Sequence, residues 1–324
     1  MATQLLQLPE VTRLSSRVIR ILGGNPGKVS ASVASANDND LITSASLRSK
    51  VSICPCFAQW VINTYWQGTN TYIVGTGQQR VLIDTGEGRP SWIKAIQAVL
   101  LSENATIAST LISHWHGDHV GGITQLRELY PAVKVHKHQP DDGQLNISDG
   151  EVFEVEGATL RAVYSPGHTQ DHMALILEEE DAMFTADNVL GHGTAVFEDL
   201  SSYIASLKKM DTLFNGRAYP GHGDVIDDGR AKISEYIRHR QQREDQVLQV
   251  LRSPNLSVKV GSSEQKSGWA SMEIVKVVYK DVPENLHLPA HGGVMQVLYK
   301  LQDEDKVVED ESSGTWRIPE KAAL

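Results

Sequence analysis

The chain has 324 residues, a formal net charge of −10 (30 Lys and Arg against 40 Asp and Glu) and 40% hydrophobic residues. That acidity excludes broad non-specific attraction to nucleic acid or anionic lipid, and no apolar run is long enough to span a bilayer. The two cysteines, Cys54 and Cys56, supply neither a disulfide framework nor a thiolate metal cage. No basic segment followed by an apolar run stands at the N-terminus, so an intracellular, cytoplasmic location is expected.

Val18–Leu22 reads as a first strand, closed by the turn residues Gly23 to Gly27. Residues 28–67 then lose any sustained period: a Ser-, Ala- and Asn-rich stretch passes into an apolar cluster holding Cys54, Pro55 and Cys56. No further cysteine or histidine lies near that pair, which makes the segment an irregular insertion. Order returns at Gly68. Thr71–Gly75 and Arg80–Asp84 predict two strands, Trp92–Leu101 a helix, and Ile107–Ser113 a strand. Gly121–Leu129 predicts a helix stopped near Pro131, followed by a strand at Val133–His136. Val152–Val155, Thr159–Tyr164, Met173–Leu177 and Ala182–Thr185 are short strands between Gly, Asp or Pro turns, and Asp199–Leu213 is an amphipathic helix. Interleaved strands and helices favour an α/β sandwich of sheets covered by helices. From Ile226 the pattern is mainly helical: Glu235–Leu251, Met272–Tyr279 and Val294–Leu301. A small hairpin of Lys306–Val308 with Thr315–Ile318 follows, so residues 231–324 form a helical appendage of the winged-helix kind, after a core of 68–230.

The chemistry concentrates in Thr110–Gly122, TLISHWHGDHVGG. His114, His116, Asp118 and His119 fall within six residues. A strand would split them between two faces and a helix would wind them round its axis, so a tight loop after a strand must gather them. Neutral imidazole and carboxylate suit zinc or a similar divalent ion. Three more ligand-capable side chains stand where strands meet turns: His168 in SPGHT, Asp187 after Ala182–Thr185, and His222 in YPGHG.

His-x-His-x-Asp-His followed by a separated His, Asp and His resembles the ligand order of the metallo-β-lactamase superfamily, over about Gly68 to Gly223. The resemblance implies an αββα sandwich with a site for two Zn²⁺ ions per chain at the sheet edge. It places His114, His116 and His168 on one zinc and Asp118, His119 and His222 on the other. Asp187 would bridge them, and Asp84 would support the ligands from behind. Two such metals share a hydroxide ionised at neutral pH, which attacks an electrophilic carbonyl or phosphorus, while Asp118 orients the nucleophile or takes its proton.

A closer resemblance is to fungal thioesterases of this superfamily that act beside non-reducing polyketide synthases, of the atrochrysone carboxyl carrier-protein thioesterase type. It rests on GTNTY at 68–72, LIDTGEG at 82–88, NVLGHGTAVF at 188–197, YPGHG at 219–223 and HRQQRE at 239–244. It implies hydrolytic release of a polyketide acid from the acyl carrier protein. Two departures stand out. Relatives pass directly from the Asn-Pro-Gly turn to Gly68, so residues 28–67 read as intron sequence retained in frame, with Gly27-Lys28-Val29 and Gln67 at its borders. Ala186 stands where relatives usually place Gly. His192 either contacts substrate or holds its loop, and His172 is a packing or supporting residue. Arg238, Arg240 and Arg243 form either a solvated face or a dock for an acidic carrier protein.

The alternatives are a lactamase-like endoribonuclease, which the −10 charge disfavours, and a glutathione-thioester hydrolase of the glyoxalase type, from which the C-terminal resemblance leads away. A catalytically silent carrier-docking protein is a third, which metal content would expose.

Overall fold

Strand-forming runs separated by turns build two sheets, and the order of the strands brings the candidate ligands to one edge. A computed structural model describes residues 8–24, 68–255 and 268–319. These fall into two units, one of 8–24 and 68–244, the other of 245–255 and 268–319. The expectations for the insertion 28–67, its cysteines and its origin lie outside the described residues.

The first sheet takes its seven strands in chain order: β1 (Val11–Arg13), β2 (Val18–Leu22), β3 (Asn70–Val74), β4 (Gln79–Ile83), β5 (Thr106–Ile112), β6 (Lys134–Lys137) and β7 (Leu145–Asn146). Pairing is antiparallel through β4 and parallel from β4 to β7. A parallel neighbour needs a crossover, and helices supply it from β4 to β6, while a loop joins β6 to β7. Helix α1 (Pro90–Ser102) joins β4 to β5, while α2 (Gly117–Val120) and α3 (Ile123–Leu129) join β5 to β6. The second sheet has the order β12-β11-β10-β9-β8, from β8 (Val152–Val155), β9 (Ala158–Tyr164), β10 (Met173–Leu177), β11 (Ala182–Ala186) and β12 (Ala218–Pro220). Only β11 and β12 run parallel within it, with helix α4 (Leu200–Met210) between them.

Alternation along the first sheet explains both cores. Val18, Tyr72, Val74, Val81, Ile83 and Leu111 face Leu160, Ala162, Met173, Leu175 and Phe184 of the second sheet. The intervening Ile19, Ile21, Ile73, Leu82 and Ile112 pack with Trp92, Ile96, Leu100 and Leu126 of the covering helices. Strands β2, β3, β10 and β11 are buried at every position, and β10 accordingly reads as a continuous apolar run. Proline opens α1, where its missing N–H is harmless, and the Asp199 side chain caps α4 through Ser201 and Ser202. The buried Trp92 indole donates to Thr71 Oγ1 at 2.9 Å, so that helix meets β3 without an unsatisfied donor.

Helix α5 (Gly229–Arg252) begins in the first unit and continues past Glu244. In the second unit, β13 (Trp269–Ala270) leads into α6 (Ser271–Val278), followed by α7 (His287–Asp303), β14 (Val308–Asp310) and β15 (Thr315–Arg317). The three strands form one antiparallel sheet, β13-β15-β14, with Trp316 buried and 6.0 Å from the Tyr299 ring. Ile274, Val275, Val294, Val297, Leu298 and Leu301 are buried on the two helices.

Four differences from the sequence reading have physical causes. The expected helix Gly121–Leu129 is two short helices. Gly122 between them lies so close to Thr85 O and the Trp92 ring that a Cβ there would clash, and this close approach breaks the helical path. Helix α7 begins seven residues before the expected Val294, because Pro289 stands in its first turn, where proline is tolerated. Strand β14 is Val308–Asp310 rather than Lys306–Val308, since it pairs with Thr315–Arg317 in register. Strands β1 and β7 were not foreseen: they are short, partly exposed edge strands without a marked apolar period. Among the described residues no helix is long and apolar enough to cross a membrane.

Candidate metal centre

Strand direction decides where the ligands meet. Strands β9 and β11 both pair antiparallel with β10, and β12 runs parallel to β11, so the C-terminal ends of β9, β11 and β12 share one edge. His168, Asp187 and His222 follow those ends. On the first sheet, Asp84 follows β4 and the His114–His119 loop follows the parallel β5. The N-terminus of β3 completes the edge: Asn70 N donates to Gly221 O at 2.7 Å, and Thr69 bridges to His222.

Seven side chains gather there in two clusters, His114, His116, His168 and Asp187 in one and Asp118, His119 and His222 in the other. Within each, the ligand-type atoms lie within 4.8 Å of one another. Asp187 also faces the second cluster: its Oδ1 is 3.5 Å from His119 Nε2, and its Oδ2 is 3.3 Å from His222 Nε2 and 3.6 Å from His168 Nε2.

The outer contacts decide which ring nitrogen is available. His168 Nδ1 donates to Val196 O (2.8 Å), His222 Nδ1 to Gly68 O (3.1 Å) and His119 Nδ1 to Asp84 Oδ2 (2.8 Å). Ser113 Oγ donates to Asp84 Oδ2 (2.9 Å), so His114 Nδ1 donates to that hydroxyl (2.9 Å). In its neutral form each of these rings therefore turns an Nε2 lone pair inward. His116 Nδ1 lies 3.0 Å from His114 Nε2 and 3.1 Å from His168 Nε2. Either His116 Nδ1 carries a proton and donates to one of these nitrogens, or three lone pairs converge and repel unless a cation lies among them. The separation is close to the roughly 3.3 Å between two nitrogens that each stand 2.0–2.1 Å from a tetrahedral zinc. The buried His119 Nε2 and Asp187 Oδ1 have no hydrogen-bond partner among the described residues. These residues fit a divalent metal, and a neutral protein interior would leave such groups costly.

The two clusters differ in charge. Burial, reinforced by the neighbouring histidines, holds His114 well below the ordinary imidazole value and His116 at about 4. Burial also lowers His168, against the Asp187 carboxylate. In the other cluster burial again opposes the imidazolium, but carboxylates outweigh it. Asp118, Asp187 and Asp84 lift His119 to about 9, and Asp187 with Asp118 lifts His222 to about 10. Burial would raise Asp118 and Asp187, yet the histidines beside them hold both below the usual carboxylate range.

Asp84 lies behind the clusters, accepting from Ser113 N, Ser113 Oγ and His119. His172 is buried behind His114 and His168, bonded to Ser165 Oγ and Asn188 rather than turned into a cluster. His192 is in neither cluster. It is half-buried against the turn after His222, where a Cβ on Gly223 would come within 2.5 Å of its Nδ1. Of the arginine trio, Arg238 is exposed, but Arg240 is half-buried and donates to Ala195 O, so the trio is not one solvated face. Sequence reasoning assigned no role to Thr69, whose buried hydroxyl donates to Asp118 Oδ2 at 2.8 Å. Nor did it assign one to Asn70, which donates to Pro220 O and Gly223 O on either side of His222. Their signal was present in the GTN motif, without a partner to attach it to.

Ala186 occupies the left-handed region at φ 42°, next to the register shift that turns Asp187 into the site. A β-carbon there is strained. Ala186→Gly is expected to stabilise the protein by about 0.5–1 kcal/mol, read as a rise in the midpoint of thermal unfolding; an unchanged or lower midpoint rejects strain at this position.

The family model described as the metallo-beta-lactamase superfamily matches residues 64–222, and that of the beta-lactamase associated winged helix domain matches residues 270–316. With its fold and intact clusters, the chain belongs to the metallo-β-lactamase superfamily and is an enzyme of that superfamily. It is 42% identical over 302 residues to lactamase-like protein aptB of Emericella nidulans, spanning 93% of this chain and 85% of that protein. It is 41% identical over 321 residues to an atrochrysone carboxyl ACP thioesterase of Aspergillus chevalieri, spanning 97% and 90%. A β-lactamase domain protein from Burkholderia ambifaria shares the fold, with a TM-score of 0.68 over 98% of this chain and 96% of that one at 14% identity.

Proposed function

We propose that the chain is a zinc-dependent thioesterase that releases a polyketide acid from an acyl carrier protein of a non-reducing polyketide synthase. The observation that carries this reading is the 41% identity, over 97% of the chain, with a protein named as an atrochrysone carboxyl ACP thioesterase. The assembled clusters support it. His114, His116 and His168 would hold one zinc, Asp118, His119 and His222 a second, and Asp187 would serve both. Metal held there supplies Lewis acidity that ionises water near neutral pH and polarises a carbonyl oxygen.

The chain's own residues do the rest. Asp118 is the carboxylate of the site with an exposed side, 34% accessible, and His119 and His222 keep it ionised. Its Oδ2 is engaged by Thr69. The remaining oxygen orients the attacking water and accepts its proton. The water oxygen bonds to the thioester carbon, the C–S bond breaks, and the sulfur leaves with the electron pair. The proton held by Asp118 passes to the departing sulfur, and a carboxylic acid and the pantetheine thiol result. A thiolate is a good leaving group, so no strong general acid is required. Trp115, 52% exposed and edge-on to His116 at 4.6 Å, offers an aromatic surface beside the reacting groups. In this reading residues 68–230 carry the chemistry, 1–27 add the first two strands, and 231–324 form the C-terminal region.

The test is hydrolysis of an acyl carrier protein loaded with an aromatic polyketide, by metal-loaded protein with and without residues 28–67, with structured RNA in parallel. Acid release that disappears on chelation and in Asp118→Ala is expected. Metal-dependent RNA cleavage without acid release would replace this reading with the endoribonuclease.

A further inference from the structure

The orientation of His168 depends on a backbone carbonyl, and that carbonyl is held from a distance. Its ring donates from Nδ1 to Val196 O at 2.8 Å. Val196 belongs to the irregular segment between Asp187 and α4, so no ladder of backbone hydrogen bonds fixes it. The residues on both sides of Val196 meet Arg240 of helix α5. Arg240 Nη2 donates to Ala195 O at 2.9 Å, and the guanidinium carbon lies 4.8 Å from the centre of the Phe197 ring and 5.7 Å from that of Tyr203. Phe197 stacks on Tyr203 at 5.2 Å with 21° between planes, and Tyr203 is anchored by its hydroxyl, which donates to Asn188 O at 2.6 Å. Beyond Phe197, Glu198 N donates to Gly167 O at 2.7 Å, which ties the segment to the turn that carries His168.

We propose that Arg240 is a positioning residue for His168, gripping Ala195 and Phe197 so that the Val196 carbonyl between them fixes the imidazole's tautomer and direction. The side chain type matters. A guanidinium can bond a carbonyl in its plane while presenting its face to an aromatic ring; an ammonium does this poorly and a methionine not at all. Simple packing accounts less well for it. Among the described residues Arg240 has no carboxylate partner, and its Nε is buried without a hydrogen bond. An apolar side chain would fill the same space without desolvating a charge.

The proposal rests on the metal-binding reading of the clusters and is independent of the substrate. Its test uses the full chain as Arg240→Met and Arg240→Lys, with zinc and cobalt as probes. The expected result in both variants is about tenfold weaker metal affinity at the cluster containing His168, the low end of the range for a direct outer contact because Arg240 acts through Val196, with the Asp118, His119 and His222 cluster little changed. A ¹⁵N-histidine spectrum should show the His168 Nδ1 proton exchanging faster with water in the variants. If Arg240→Met fails to fold, Phe197→Leu, which removes only the ring face, should produce a smaller shift of the same kind. A purely structural role would lower the melting temperature while leaving the affinity and the proton exchange of the folded protein unchanged, and that outcome overturns the proposal. So does wild-type behaviour in Arg240→Lys. Wild-type protein that takes up no metal would instead defeat the metal-binding reading itself.

Discussion

Asp187→Ala is expected to remove thioester hydrolysis by about 10³-fold or more and to lower the metal bound per chain. Loss of a contact one step behind a ligand typically costs about 10- to 100-fold. Asp187 stands in front of that step, facing His119 with Oδ1 and both His222 and His168 with Oδ2. Among the described residues it is the carboxylate that reaches both clusters. Asp118 faces only His119 and His222, and Asp84 reaches His119 from the outer nitrogen. Its loss also removes a carboxylate that lifts His222 and His119, so burial would shift both rings towards the neutral form. Asp187→Asn keeps the shape and separates the two contributions: if charge dominates, it should resemble Asp187→Ala. Metal content by elemental analysis and hydrolysis of one thioester would be measured on the same preparation. Full metal content with more than a tenth of the activity would end the assignment of Asp187 as the shared ligand.

Much of the fold was legible because the strands obey simple rules. Val152–Val155 and Met173–Leu177 have the expected bounds, since turn residues fence short apolar or alternating runs on both sides. The convergence of His168, Asp187 and His222 was legible in a weaker sense. Each stood where a strand met a turn, but only strand order, with β12 parallel to β11, shows that those turns share an edge. What escaped was whatever depends on backbone partners. Val196 gives no side-chain sign that its carbonyl orients a histidine. Arg240, read beside Arg238 and Arg243, carries the same charge as its neighbours, and only the chain path brings it to Ala195 and Phe197. Ala186 shows the same limit from the other side: the resemblance marks it as a departure from Gly, but only its positive φ shows why Gly suits the position.

Metal uptake by the Asp118, His119 and His222 cluster is expected to depend steeply on pH, unlike uptake by the histidine cluster. In the metal-free protein His119 and His222 hold protons up to about 9 and about 10, because the carboxylates around them outweigh burial. A ligand nitrogen must give up its proton to bind, so near neutral pH this cluster releases about two protons per metal. The sign follows directly: raising the pH removes the competing protons and tightens binding. Affinity should rise about 100-fold per pH unit below pH 9, by about tenfold per unit between 9 and 10, and level off above about 10. His116 loses its proton at about 4, and His114 and His168 are also held below the ordinary value, so their cluster should bind with nearly constant affinity above about pH 6.5. Calorimetric titration at pH 7, in buffers of different ionisation enthalpy, counts the released protons directly. Two binding events, one releasing almost none and the other about two, are expected. Equal proton release in both would mean that the carboxylates do not hold His119 and His222 in the charged form, and the electrostatic division of the centre would have to be given up.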